Sequence, residues 1–242
     1  MKPTMALKPL VFALTALMAV AANAGGYGGG HGGHPQPAPT STVAAVSDAQ
    51  SSHGNGVLNL GTQNNASANN SVNGSSGNAQ VNIAAGDGNQ QDNQTAIAAG
   101  DADAVFALGT ITQDNRNNIS VQVATHNNAS LNNSGNGSSG NLGLNASAGN
   151  FNQQKNQLAI ASASGTAAAA SSNTTQTSVD NAYLNTVAVQ SGHHSTSYLP
   201  VVNNASANNS LNGSSGNLGA NISAGVGNQQ GNTTVIASGV RF

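Results

Sequence analysis

The chain has 242 residues, of which 5% are charged and 3% aromatic, with 30 Gly, no Cys and no Trp. An enzyme domain of this length carries about a quarter charged residues and a large aliphatic and aromatic core, so the composition argues against an ordinary globular catalyst. Seven Asp, no Glu and five Lys or Arg leave no basic patch for nucleic acid or an anionic bilayer.

Residues 1–24 read as a secretory signal peptide. Lys2 and Lys8 form the basic region, Leu10 to Ala22 the apolar region, and Ala22-Asn23-Ala24 a small-residue cleavage site between Ala24 and Gly25. The apolar run is too short to span a bilayer, so export with cleavage is expected rather than membrane insertion. The mature chain then holds three basic residues against seven Asp, a charge of −4.

Residues 25–63 comprise a Gly, His and Pro-rich leader to Pro39 and a first Gln/Asn motif. The leader composition resists helix and strand alike. His31 and His34, like the pair His193 and His194, have no Cys or Glu to complete a ligand set. No metal and no cofactor are expected.

From Asn64 the chain repeats. Residues 64–98, 127–161 and 203–237 align without a gap, and the third copy matches the first at 26 positions and the second at 25. The agreement covers Asn, Gln, Ser and Gly as well as apolar residues, which points to one supersecondary unit laid upon the next. Between the copies, 99–126 and 162–202 read as connections, and 238–242 as a C-terminal tail. A fainter recurrence crosses these connections. Gln50, Gln113 and Gln176 lie 63 apart, as do Asn55, Asn118 and Asn181, and Leu58, Val121 and Leu184. The period is therefore 63, with a 13-residue insertion in the third unit near Ser191 to Pro200, where Gly, Pro and paired His suggest a loop. Alternating runs at Val57 to Leu60 and Ile119 to Val123 suggest one further strand per unit.

Each copy alternates with period two and is broken by turn formers, which predicts strands at Asn64 to Val72, Ala79 to Ala85 and Asn89 to Ala98. The apolar face is expected to hold Val81, Ile83 and Ile97 in the first copy, Leu142, Leu144 and Ile160 in the second, and Leu218, Ile222 and Ile236 in the third. Parallel in-register stacking at about 4.8 Å would let identical amides hydrogen-bond along columns. The expected self-assembly ladders are Asn65, Asn128, Asn204; Gln90, Gln153, Gln229; and Gln91, Gln154, Gln230. Like charges avoid shared columns: Asp92, Lys155 and Gly231 align, as do Asp87, Asn150 and Val226. The third copy is as regular as the first, without the atypical cap that closes a globular solenoid, so the stack is expected to continue from chain to chain. The fold class is thus all-β, a three-rung β-solenoid or cross-β amyloid, with the exported monomer disordered before assembly.

The leader MKPTMALKPLVFAL, three copies each with NGSSGN and a later Gln-Gln pair, intervening motifs such as TTQTSVDNAYLN, and the terminal Phe242 together resemble the major fibre subunits of the Fap functional amyloids of pseudomonads. The resemblance covers essentially the whole chain. It implies a secreted protein that self-assembles into extracellular fibres at the surface of a Gram-negative cell and contributes to biofilm matrix and adhesion. The partners it implies are the chain itself, a related minor subunit that nucleates, an outer-membrane export pore and periplasmic accessory proteins. Members often carry a C-x-x-C pair near the C-terminus. This chain has no Cys, so redox control through such a pair is not expected. Phe242 reads either as part of an export signal or as a last core anchor.

Three other readings are weaker. The minor subunit of the same fibres has similar repeats. A non-polymerising ice- or ligand-binding β-solenoid would need regular Thr or Asn rows, yet Thr95 aligns with Leu158 and Thr234. Catalysis would need convergent acids, bases or a metal, and the scattered Asp and His do not recur as a constellation.

Overall fold

The computed structural model describes residues 40–164, 167–192 and 195–239. The signal peptide, the leader with His31 and His34, the pair His193 and His194, and Phe242 lie outside the described residues.

All regular structure among the described residues is β, in three stacked layers of like path. The first layer holds β1 (Ser41–His53), β2 (Gly56–Leu60), β3 (Gln63–Asn69), β4 (Ser76–Ala85) and β5 (Gln90–Gly100). The second holds β6 (Ala104–Arg116), β7 (Ile119–Val123), β8 (His126–Asn132), β9 (Ser139–Ala148) and β10 (Gln153–Ala163). The third begins with β11 (Ala167–Val179) and β12 (Ala182–Thr186), is interrupted by β13 (Ala188–Gly192) and β14 (Ser195–Leu199), and ends with β15 (Val202–Asn208), β16 (Ser215–Ala224) and β17 (Gln229–Gly239). Each strand of the middle layer pairs in parallel with its equivalents below and above, as in the orders β1-β6-β11 and β17-β10-β5. The register is the one the repeat dictates: Gln50, Gln113 and Gln176 are partners, as are Gln91, Gln154 and Gln230.

One rung is therefore a 63-residue turn of chain rather than a 35-residue copy. The connections expected at 99–126 and 162–202 fold into the rungs, supplying β6 with β7 and β11 with β12. Strand β6 runs through AVFALGTITQDNR, where apolar residues fall on both faces, so period-two alternation does not mark it. Burial explains this: the odd-numbered side chains from Val105 to Asn115 are covered by the β10 sheet, while the even-numbered ones are only partly buried.

In cross-section β4 and β5 form an inner arch, and β1, β2 and β3 wrap around it. β5 packs against β1 on one side and β4 on the other, and β4 packs against β3. The larger apolar core lies between the β3 and β4 sheets, with Ala66, Ala129, Leu131, Leu142, Leu144 and Ala146 buried and Val81, Ile83, Leu218 and Ile222 packed against them. A second core between the β1 and β5 sheets is mostly Ala. Small side chains there let the two sheets approach closely. The β2 sheet is inverted: Asn59, Ser120 and Gln122 point inward while Leu58, Leu60 and Leu184 are exposed. Its inner face meets the bend that joins β4 to β5, where backbone polar groups and Asn side chains need partners, as in the 2.9 Å bond that Asn150 Nδ2 donates to Ser120 Oγ.

That bend requires glycine. Gly86, Gly149 and Gly225 stack in one column with φ of 101°, 99° and 109°. A Cβ on Gly86 would lie 2.2 Å from Gly149 O, and one on Gly149 would lie 2.0 Å from Gly225 O. Only a residue without a side chain permits this approach at positive φ. Two residues on, Gly88, Phe151 and Gly227 share a column; the buried Phe151 ring fills the space that Gly88 leaves, and the Tyr183 ring fills the space that Gly227 leaves. Phe151 stacks on Tyr183 of the third layer, centroids 6.2 Å apart. Phe151→Ala is expected to destabilise the folded stack by about 3 kcal/mol, from lost burial and the cavity left behind. A drop in the denaturant midpoint with unchanged slope would report it.

The 13-residue insertion is the antiparallel hairpin β13–β14, with Gly192 opposite Ser195. The parallel register resumes across it: Thr186 pairs with Val123 and Val202 with His126. Deleting residues 188–200 leaves two residues to replace Ala124 and Thr125 of the layer below. The deletion is expected to leave assembly within about twofold of wild type by dye-binding kinetics, since surface loops contribute little to stability.

Candidate assembly interface

The side-chain amides run in continuous columns parallel to the stacking direction. Gln229 Nε2 donates to Gln153 Oε1 at 2.6 Å, and Gln153 Nε2 to Gln90 Oε1 at 2.8 Å. The next column runs the other way: Gln91 Nε2 donates to Gln154 Oε1 at 2.7 Å and Gln154 Nε2 to Gln230 Oε1 at 2.9 Å. Gln153 and Gln154 are fully buried. Each amide of the second column also donates across the arch to a backbone carbonyl of the facing strand, namely Ile83 O, Ala146 O and Ile222 O. Gln50, Gln113 and Gln176 form a further column on the β1 sheet, at 3.0 and 2.8 Å, and donate to Gln91 O, Gln154 O and Gln230 O. These columns tie neighbouring sheets together as well as successive layers, and they satisfy polar groups that burial would otherwise leave costly.

The Asn columns divide by face. Asn65, Asn128 and Asn204 lie on the outer surface of the β3 sheet, where Asn204 Nδ2 donates to Asn128 Oδ1 at 3.1 Å. Their sequence neighbours point inward instead: Asn64 Nδ2 donates to Asn127 Oδ1 at 2.8 Å and Asn127 Nδ2 to Asn203 Oδ1 at 2.7 Å. The inward column was not singled out from the sequence because the paired Asn-Asn recurs at both positions. The phase of the following Ala66, Ser67 and Ala68 carries the missing signal. Asn82, Asn145 and Asn221, and Asn93, Asn156 and Asn232, make two more columns inside the β4–β5 arch, with bonds of 2.8 to 3.0 Å.

The nine apolar positions separate as well. Val81, Ile83, Leu142, Leu144, Leu218 and Ile222 belong to the core between the β3 and β4 sheets. Ile97, Ile160 and Ile236 sit at the mouth of the arch, opposite the start of β4, where Ile97 is 53% and Ile236 45% exposed. With Gly77, Gly140 and Gly216 they line an open apolar groove of about 540 Å³. β4 and β5 present their apolar residues to different neighbours. Leu158 interrupts the row between Thr95 and Thr234, so no unbroken threonine plane forms there.

Charge is sparse and staggered. Asp114 accepts from Arg116 Nε at 2.6 Å and lies 3.2 Å from His53 Nε2. Inside the first layer Asp92 faces Asp48, and Lys155 occupies the column above Asp92. Burial pushes the Asp92 carboxyl up to about 6. Asp48 adds to the rise, while the Asn93 backbone N–H and Lys155 oppose it. Burial also lowers the Lys155 amine below its ordinary value, against the attraction of Asp92. Tyr183 is raised by burial, offset by bonds with Ser178 and Asn115. No group of three or more potential metal ligands occurs among the described residues.

The middle layer is hydrogen-bonded on both edges, and the two outer layers on one. Among the described residues, the lower edges of β1 to β5 and the upper edges of β11, β12, β15, β16 and β17 have no strand partner. Such edges recruit further strands. The upper edge carries nearly the sequence that the middle layer presents to it, so the lower edge of another copy offers a matching template.

Comparison with known proteins agrees with this geometry. A family model described as the Functional amyloid protein FapB/FapC family matches residues 43–239. The chain is 36% identical over 327 aligned residues to the Functional amyloid subunit FapC of Pseudomonas aeruginosa (strain PAO1), covering 99% of this chain and 96% of the relative. No solved structure matches. Stacked amide columns, unpaired outer edges and a match across nearly the full length lead to one assignment: the chain belongs to the FapB/FapC family of functional amyloid proteins.

Proposed function

We propose that the chain is a secreted, non-enzymatic structural subunit that adds to copies of itself end to end, parallel and in register, forming extracellular amyloid fibres. The observation that carries this reading is the half-satisfied state of the first and third layers beside a middle layer of the same pattern satisfied on both sides. Placing the first layer of one copy over the third of another brings Gln50 over Gln176, Asn64 over Asn203, and Gln90 and Gln91 over Gln229 and Gln230. Every amide column then continues in its own donor direction. The joint is heterologous and does not close.

Family membership supports a role at the surface of a Gram-negative cell, in biofilm matrix and adhesion. The export reading of residues 1–24 supports cleavage at Ala24 and Gly25, followed by passage through a dedicated outer-membrane pore with periplasmic accessory proteins. A related minor subunit serves as nucleator in this scheme. Fibre diffraction on the purified chain tests the core claim: a reflection near 4.8 Å along the fibre axis is expected, together with elongation from preformed seeds. A chain that stays soluble and unstructured at high concentration in the presence of seeds overturns it.

A further inference from the structure

We infer that Lys155 of one copy pairs with Asp92 of the next across the joint between the third and first layers. This pairing rests on the end-to-end stacking proposed above and names the charged contact within it.

Three features converge on the contact. Lys155 is only 6% exposed, yet the ion pairs found among the described residues are those of Asp114. Its Nζ instead reaches upward to Thr233 Oγ1 of the third layer, at 3.3 Å. The residue directly above it is Gly231, and a Cβ there would lie 2.5 Å from Lys155 Cε and 3.1 Å from Cγ. The glycine is the opening through which the side chain rises. On the underside of the first layer, Asp48 Oδ2 and Asp92 Oδ2 are buried without a hydrogen-bond partner. When the stack continues, Asp92 of the next copy lies over Gly231 and Asp48 over Thr174, which places both carboxylates above the rising ammonium.

Within its own copy Asp92 has one charged neighbour of each sign. Asp48 faces it from β1 and Lys155 lies above it on β10. Ile111 on β6 and Thr174 on β11 continue the Asp48 column, Gly231 on β17 continues its own, and on the far side of the arch β4 presents Asn78, Gln80 and Asn82. The contact is also directional. Head-to-head joints would set carboxylates against carboxylates or leave the ammonium without an opposite charge, so the pair favours one fibre polarity.

Acid reads out the pair with a defined sign. The incoming ammonium favours ionised Asp92, so joint formation is linked to loss of a proton, and growth weakens as pH falls through about 6. Seeded elongation of the purified chain should slow about fivefold between pH 7.5 and 5. D92N and K155M should each slow elongation about tenfold at pH 7.5 and flatten the pH profile, and the double variant should be no slower than either single. K155D and D92K should each elongate poorly alone, whereas an equimolar mixture should recover to within about threefold of wild type. In an alternating mixture the carboxylate introduced at 155 meets the ammonium introduced at 92 at every second joint, and the native Lys155–Asp92 pair forms at the joints between. Additive single effects, an unchanged pH profile in D92N, or a mixture no faster than its slower component would overturn the pairing while leaving wild-type fibres intact. Failure of the wild-type chain to form fibres removes the stacking itself and the pairing with it.

Discussion

Replacing Gln91, Gln154 and Gln230 together by Glu is expected to abolish fibre growth at neutral pH and to permit it in acid. The three side chains stand in one column, Gln154 buried and Gln91 and Gln230 half-buried, each amide within 2.9 Å of its neighbour. Ionised, they would set carboxylates about 5 Å apart, a repulsion of about 3 kcal/mol per adjacent pair at an effective dielectric near 20. They would also strip Ile83 O, Ala146 O and Ile222 O of the donors they now accept from, at a cost of about 1 to 3 kcal/mol for each buried acceptor. Protonation removes the repulsion and returns a hydroxyl donor, so growth should recover below about pH 4. Fibre yield by sedimentation at pH 7.5 and pH 3.5 is the measurement. Equal yields would remove the column from any role in assembly.

Gly225→Val is expected to turn the chain into a terminator of its own fibres. The geometry of the bend repeats upward: a Cβ on Gly86 strikes Gly149 O, and one on Gly149 strikes Gly225 O. Within one copy a Cβ on Gly225 is strained by φ 109° but meets no backbone, its nearest neighbours being side-chain atoms of Asn203 at 3.2 and 3.3 Å. The backbone oxygen it would strike belongs to Gly86 of the next copy. A Gly225→Val molecule can dock by its lower face and refuse a successor, so adding about one part in ten should more than halve elongation by wild-type chain. Gly149→Val carries the same positive-φ strain, at 99°, and adds a backbone clash inside the molecule, so it should prevent stable stacking in the variant without poisoning wild-type growth. Mixing experiments followed by dye binding separate the two. Equal inhibition by both variants would contradict the upward direction of the clash.

The fold was legible where side chains recur in columns. Asn and Gln kept at fixed positions through three copies, beside apolar residues kept at the same fidelity, have a physical reading only if each sits over its own equivalent. The register of Gln90 over Gln153 over Gln229 follows from that. The 13-residue insertion was equally plain, because a period of 63 cannot continue through it. Strand β6 was hidden for the opposite reason: its first half is apolar on both faces, so alternation does not mark it, and identity through all three layers is confined to Ala107 and Gln113. The sides chosen by Asn64 and Asn65 depend on which residue of an identical pair meets the core. The exposure of Ile97 depends on the glycine column Gly77, Gly140 and Gly216 lying opposite it at the start of β4, a tertiary pairing that strand periodicity does not encode.

The β13–β14 hairpin interrupts only the third layer, and the parallel trunk closes beneath it. In a continuous fibre such a loop would emerge once per molecule, on one flank, at intervals of about 14 Å. The polymer thus separates two tasks: the trunk tolerates little change, because each of its residues packs against the layers above and below, while the row of projecting loops can vary in length and chemistry without altering the axis. A peptide grafted between Gly192 and Ser195 would be displayed at a density fixed by the stacking alone.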